Sequence, residues 1–487
     1  MAAWRCMAVH WLCHRVCNSD SSHVPLAPSA RVIVSNLMIS TLTSNQPHSQ
    51  RRRDGCSECR RKKVKCDLRK PVCSRCARYP RGCIYTLSVN FVSPQPRTRS
   101  PDQATDLSIL ANQPTLTLSP FLSSAESKFF MHVLATQTAP VFFPAAPKLF
   151  VDRLISAALD TPHLLYALLA SACSHHGRLI GDNSGTSWTA CLKFTNLAIS
   201  GLNSALNEPT QMLQAETAMT AMTLCTNDVC NGNMNVWQMH LAGVMRLLTA
   251  FLKQPSNMAD SFTLCLVKWF TTLDVLAGVS SSTSITHGLL EHFLETRPSE
   301  VDDICGYSLE LVPALTRIGQ LARQDTLSHQ DMYEAQMLDL TIHSLVDRDV
   351  PSSTLNTHGP ELAHELQYTH LAFVHSALLH LHRCVQGFPR DHPDVCADIH
   401  NIVAAIQHIR PFSQANILIL WPVFSAGCET TVPEERDLIH TRMTNMRSLG
   451  MGNFTRARDM LEAFWAAASP LPWNVYFAQK GLELVLF

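Results

Sequence analysis

The pattern of apolar and polar positions changes character along the 487-residue chain. From residue 123 to residue 487, apolar side chains recur at helical intervals. Across residues 235–253, Val244, Leu247, Leu248 and Phe251 follow i, i+3, i+4, i+7 spacing, while Arg246, Thr249 and Lys253 form a polar stripe. Residues 369–385 likewise set Leu371, Val374, Leu378 and Leu381 on one face. Breakers fall between such segments: Asn207-Glu208-Pro209, Asn231-Gly232-Asn233, Pro255-Ser256-Asn257, residues 347–351 and Phe388-Pro389. No alternating strand pattern and no fixed-period repeat occurs. The pattern predicts a large all-α, multi-helix domain over 123–487 with one extended core.

The preceding 122 residues behave differently. Residues 1–50 are polar and aperiodic, and predict a disordered N-terminal extension. Residues 86–122 hold Pro94, Pro96, Pro101, Pro114 and Pro120 among many Ser and Thr, the composition of a disordered linker. Between them, residues 51–85 have too few apolar side chains for a core and carry six cysteines instead. That segment is expected to be a small module stabilised by metal.

Composition sharpens this division. Hydrophobic residues make up 46% of the chain and charged residues 16%, so the large domain can bury a sizeable core. Formal net charge is zero, but residues 51–85 hold 13 Lys/Arg against 3 Asp/Glu. The rest of the chain therefore holds 26 against 36. One short segment is built to meet a polyanion. No run of 18 or more predominantly apolar residues stands out, so no membrane partner is expected. The first 20 residues include Trp4, Arg5, His10, His14 and Arg15 without an apolar core, which argues against a secretory signal. Of the 18 cysteines, nine are scattered singly through the apolar domain, where they read as small buried side chains in a reducing compartment.

The remaining chemistry lies in the spacing Cys56-x2-Cys59-x6-Cys66-x6-Cys73-x2-Cys76-x6-Cys83. It is two copies of a C-x2-C-x6-C half joined by a short loop. Thiolates suit zinc at tetrahedral S4 coordination. Two separate S4 sites need eight sulfurs, whereas six suffice if two thiolates, one from each half, bridge a pair of Zn2+ ions. Within the first half, Arg60, Arg61, Lys62, Lys63 and Lys65 crowd five cations into six residues. On a helix they spray outward, so some reach base edges while others grip phosphate.

These residues resemble the fungal Zn2Cys6 (zinc binuclear cluster) family of transcription factors, matching its pattern at all six ligands. The resemblance implies a pseudo-symmetric two-helix module whose first helix enters the DNA major groove over a CGG-like triplet. It implies that Lys63 is the main base-reading residue with Lys62 assisting, that Arg60 and Lys65 contact phosphates, and that Pro71 shapes the joining loop. The large domain adds to it: Trp237-Gln-Met-His-Leu-Ala-Gly-Val, Leu266-Val-Lys-Trp-Phe, Asp303-Ile-Cys-Gly-Tyr-Ser and Trp421-Pro-Val-Phe-Ser-Ala-Gly-Cys-Glu look like the fungal-specific transcription factor regulatory domain. Read from the residues alone, Trp237, Trp269 and Trp421 are core anchors, and Gly306 and Gly427 mark close contacts or turns. The function implied is sequence-specific regulation of RNA polymerase II transcription in the nucleus, and residues 60–65 with 51–53 also suit a nuclear localisation signal.

The competing reading is a protein-interaction co-regulator acting through the helical domain with little or no DNA contact. The intact basic run favours the first reading. Many Zn2Cys6 proteins pair through a coiled coil behind the cluster, but residues 86–122 hold no apolar heptads. A homodimer or co-regulator contact is therefore expected on the helical domain. No hydrolase, P-loop or dinucleotide motif is present, so no enzyme is expected. The nine histidines between His358 and His408 include no pair three or four apart, and are expected at the surface and at helix edges.

Overall fold

The computed structural model describes residues 59, 62, 64, 66–67 and 73–76 of the cysteine segment. It also describes residues 119–486, apart from 147, 233–236, 254–259, 281–298, 325 and 483–484. The chain separates into two units, one within Ser22–Leu116 and one that continues from Thr117.

In the second unit the longer helices are α1 (Ala125–Val133), α2 (Lys148–Asp160), α3 (Pro162–Ile180), α4 (Thr186–Asn207), α5 (Ala215–Cys230), α6 (Trp237–Leu252) and α7 (Ser261–Ser280). They continue as α8 (Leu311–Leu321), α9 (His329–His343), α10 (Pro360–His380), α11 (Pro393–Gln407), α12 (Leu420–Glu429), α13 (Pro433–Met446) and α14 (Gly452–Ala467). A short helix, Trp473–Gln479, follows. Among the described residues there is no strand, only an isolated antiparallel bridge between Val301 and Ser308. The architecture is the all-α one that the periodicity predicts.

Local chemistry explains where helices begin and end. α3, α10, α11 and α13 each start with proline, whose fixed φ suits the first helical position and whose missing N–H is not needed there. A capping box opens α9, with Ser328 and Asp331 each accepting from the other's backbone N–H. α3 stops at Gly181, in the left-handed region at φ 60°. α3 pairs with α4, and α10 with α11, as the closest neighbours. An extended buried apolar cluster reaches from Leu122 to Leu486.

α6 matches its expectation: Val244, Leu247, Leu248 and Phe251 are buried and Arg246 is exposed. α10 does not match the single apolar face read for residues 369–385. Leu371 is only half-buried, whereas Thr369, His370, Phe373, Ser376 and Leu379 are all buried. α8, α9, α11 and α12 pack around it, and from Thr369 to His380 it has no exposed residue. The helix ends in a wider π-turn, Leu381–Val385.

α7 corrects the reading of apolar runs. Phe262–Ser280 is long and apolar enough to cross a membrane, yet 83% of that window is buried within the protein. Its Lys268 pairs with Asp302 at 2.5 Å. Trp237, Trp269 and Trp421 are buried as expected. Gly306 has φ 77°, and a Cβ there would lie 2.9 Å from Thr369 Cγ2. At Gly427 a Cβ would lie 2.9 Å from Leu461 Cδ2. Of the nine scattered cysteines, Cys173, Cys191, Cys225, Cys230, Cys265, Cys305 and Cys428 are buried, but Cys384 is half-buried and Cys396 exposed.

The histidines also depart from expectation. His370, His380 and His382 are buried, because their partners come from distant segments that periodicity cannot show. His382 Nδ1 lies 2.8 Å from Asp398 and Nε2 lies 2.8 Å from Asp339, while His375 reaches Asp398 at 3.2 Å. Burial alone would lower the His382 pKa, but hydrogen bonds to the two carboxylates and their charges raise it above the usual histidine value. His380 sits between Trp421 and Trp473 with ring centroids 6.4 and 6.0 Å away, and burial pushes its pKa down to about 4. Burial does the same to His163 and His175, both to about 4.

Two outcomes follow. Gly306→Ala is expected to destabilise the helical domain by about 2 kcal/mol, from the left-handed backbone and the Thr369 contact, read as a lower urea midpoint. For pH, an unfolded histidine titrates near 6.5. Below that value the unfolded chain binds protons that folded His163, His175 and His380 refuse, so stability falls between pH ~6.5 and about 4. His382 acts oppositely: its contribution is complete below pH ~6.5 and is lost as pH rises through its elevated folded value. Urea midpoints across pH should therefore peak near 6.5; His380→Met should flatten the acid limb and His382→Gln the alkaline one.

Candidate metal centre and nucleic-acid interface

The cysteine unit has a core made of sulfur. Among its described residues the buried side chains are Cys59, Cys73 and Cys76, with Cys66 packed against them. Lys62, Val64, Asp67, Ser74 and Arg75 are exposed. Helical backbone at Cys59 gives way to a return of the chain, with the Val64 N–H donating to the Cys59 carbonyl at 3.0 Å. In the second half the Cys76 N–H donates to the Cys73 carbonyl at 2.9 Å, closing the C-x2-C turn. Asp67, the residue after Cys66, accepts from the backbone N–H of Ser74, the residue after Cys73, at 3.2 and 3.3 Å. This tie across the halves was missed in the sequence. Its signal was the matched placement of a short polar residue directly after the third and fourth cysteines.

The Sγ atoms of Cys59, Cys66 and Cys73 all lie within 4.8 Å of one another. The Cys59 and Cys73 sulfurs are 3.7 Å apart. A tetrahedral ion with Zn–S bonds of about 2.3 Å places its sulfurs about 3.8 Å apart, so the donor set and its spacing fit zinc. Burial works to raise the Cys73 thiol pKa, but the Cys76 N–H and the sulfurs of Cys76, Cys59 and Cys66 outweigh it, leaving the thiol below its ordinary value. A thiol lowered in this way is ready to give the thiolate that metal binding needs.

The sulfurs of the two halves thus come together at Cys59, Cys66 and Cys73, with Cys76 beside Cys73, and Lys62 stands at the exposed surface. The other candidates, Cys56, Cys83, Arg60, Arg61, Lys63 and Lys65, lie outside the described residues, as does Pro71.

A model of the fungal Zn(2)-Cys(6) binuclear cluster domain matches residues 54–90, and one of the fungal specific transcription factor domain matches residues 128–487. The chain belongs to the fungal Zn2Cys6 transcription factors. Members of this family bind zinc and DNA and regulate transcription, and the chain carries both parts of that organisation: the zinc cluster and the helical regulatory domain. Among curated proteins, a lysine biosynthesis regulatory protein of Saccharomyces cerevisiae is 41% identical over 69 residues. That match covers 14% of this chain and 8% of the yeast protein. No solved structure matches the chain.

Proposed function

We propose that this Zn2Cys6 protein is a nuclear regulator of RNA polymerase II transcription, and that its cluster, residues 51–85, holds two zinc ions and reads a CGG-like triplet. The observation that carries the reading is the position of the Cys73 sulfur. It lies with Cys59 and Cys66 of the first half, and it also interacts with Cys76 of its own half. Six ligands can serve two tetrahedral ions only if some sulfurs are shared between them, and Cys73 is placed to be shared. Cys56, Cys59, Cys66, Cys73, Cys76 and Cys83 form the ligand set.

In this reading zinc neutralises and pins the thiolates, and the chain's own residues do the recognition. Lys63, with Lys62, contacts base edges, Arg60 and Lys65 hold phosphates, and Arg61 adds to the DNA-binding run. The exposure of Lys62 supports an outward-facing basic segment. Residues 86–122 serve as a linker without a coiled coil. Any homodimer or co-regulator contact then belongs to the helical domain, residues 123–487, and the protein has no catalytic role.

The test uses the full chain. Metal analysis should return two zinc ions per chain, and a strong chelator should abolish DNA binding; unchanged binding after verified zinc loss would overturn the reading. In binding-site selection, Lys63→Ala should relax specificity at one base step by about 1–3 kcal/mol. Lys65→Ala should instead weaken all sequences alike and flatten the salt dependence by about one unit. If both variants lose affinity uniformly, the base-reading role of Lys63 is wrong.

A further inference from the structure

α9 carries apolar side chains on both of its sides. The inner side packs Ala335 and Ile342 into the core, with Leu338 half-buried against it. On an ordinary surface helix the outer side would be polar. Here Met332, Tyr333, Met337 and Leu340 are all exposed, Tyr333 at 59% and Leu340 at 65%. Tyr333, Met337 and Leu340 stand at i, i+4 and i+7, so they form one stripe, and Met332 lies on its flank. A single exposed apolar residue needs no explanation. Four on one short helix make a patch of roughly 400 Å2, the size that marks an interaction site on a soluble protein.

The stripe is free of acids, because those of α9 are drawn to its other side. Arg317 of α8 holds Glu334 with two hydrogen bonds, at 2.7 and 2.8 Å, and reaches Asp331 at 3.3 Å. Asp339 lies 2.8 Å from His382 Nε2. With the Ser328–Asp331 capping box, these ties fix α9 to α8 and to the π-turn beneath it, so the face is held rigid before any partner arrives. His329 and His343 stand at the two ends of the stripe and not within it. Outside residues 51–85 the chain holds 36 acids against 26 Lys/Arg, so helical domains repel one another in general. A face without acids is where two copies can close.

We propose that α9 is a self-association face, and that its occupant is α9 of a second copy. A two-fold axis across the helix pairs it antiparallel with itself. With the axis beside Gln336 and Met337, Tyr333 of each copy meets Leu340 of the other. The positive N-terminal end of each helix then lies beside the negative C-terminal end of its mate. Two such patches bury about 800 Å2 of apolar surface, and a polar rim takes the contact to the lower edge of specific interfaces, about 1,000 Å2. The dimer is therefore weak and reversible, separate when dilute and joined when two zinc heads share one DNA site. That use of the pairing rests on the DNA-reading function proposed above. The pairing itself is measured without DNA, so the two can fail separately.

The test is sedimentation equilibrium of the full, zinc-loaded chain without DNA, up to about 100 μM, which reaches micromolar contacts. A reversible monomer–dimer equilibrium is expected. Leu340→Glu and Tyr333→Lys, each shown to be folded by an unchanged urea midpoint, should each raise the dissociation constant about ten-fold or more. In the two-fold arrangement the double variant Tyr333→Lys/Leu340→Glu sets lysine opposite glutamate twice, and should dimerise about three-fold or more tightly than either single variant. Phe412→Glu, at a side chain 72% exposed in the turn after α11, should leave association unchanged. A chain that stays monomeric across the range gives the face to a different protein and overturns the proposal. A dimer indifferent to both single variants, a double variant no tighter than either, or equal weakening by Phe412→Glu overturns it as well. A monomer that still binds DNA through its zinc cluster leaves the cluster reading standing.

Discussion

A helix segment with no exposed residue cannot turn its polar groups to water, and the second half of α10 imposes that constraint on the domain. Five polar side chains, Glu365, Thr369, His370, Ser376 and His380, are buried along α10. Thr369 and Ser376 bond back to carbonyls of their own helix, at 2.9 and 2.7 Å. His370 and Glu365 recruit distant parts of the chain, while His380 reaches only Cys384, one turn on, at 3.5 Å. His370 accepts from the Ser308 N–H at 3.3 Å and donates to the Leu345 carbonyl at 2.8 Å, which fixes it as a neutral tautomer. Glu365 takes the Arg410 guanidinium at 2.7 Å and the Ser413 hydroxyl at 2.5 Å. Just beyond the helix, His382 joins α9 to α11 through Asp339 and Asp398. Each lost bond would leave a buried donor or acceptor, at about 1–3 kcal/mol. Apolar burial drives these helices together, and the polar bonds specify which segments meet.

The cysteine unit rests on the opposite solution. Among its described residues the buried side chains are sulfur alone, and the zinc that this family binds takes the place that apolar burial has in the helices. The contrast extends to the thiols themselves. Burial among apolar helices pushes Cys265 up to about 11 and Cys230 up to about 12, which makes them inert small side chains. Cys73 is closed off from solvent too, but within a small unit rather than among packed helices; an N–H donor and other sulfurs outweigh its burial and lower its thiol. One residue type serves as packing in the helical unit and as ligand in the cysteine unit, and the surroundings differ.

What was legible in the sequence follows from how local each signal is. Six cysteines span 28 residues at fixed intervals, so spacing alone proposed a donor set, and the structure brings Cys59, Cys66 and Cys73 of it together. Prolines at 162, 360, 393 and 433 mark helix starts in the same local way. Periodicity placed α6 well because that helix keeps a solvent face; it misread α10, whose second half keeps none. The buried histidines escaped because Asp339, His382 and Asp398 meet only in the folded chain. Asp67 was within reach: its place after Cys66 mirrors Ser74 after Cys73, and the tie between them is short-range.

The two units also divide the problem of choosing a DNA site. By resemblance, one cluster reads about three base pairs, and a triplet recurs far too often in a genome to define a target. The segment after the cluster, rich in proline and without heptads, offers no zipper for pairing two reading heads. On the proposed reading, added selectivity comes through the helical domain, by joining a second chain or a partner already on DNA. Tethering makes even a weak contact count, because the second event occurs at the high effective concentration set by the first. The small zinc head would then fix which triplet is read, and the helical domain when it is held.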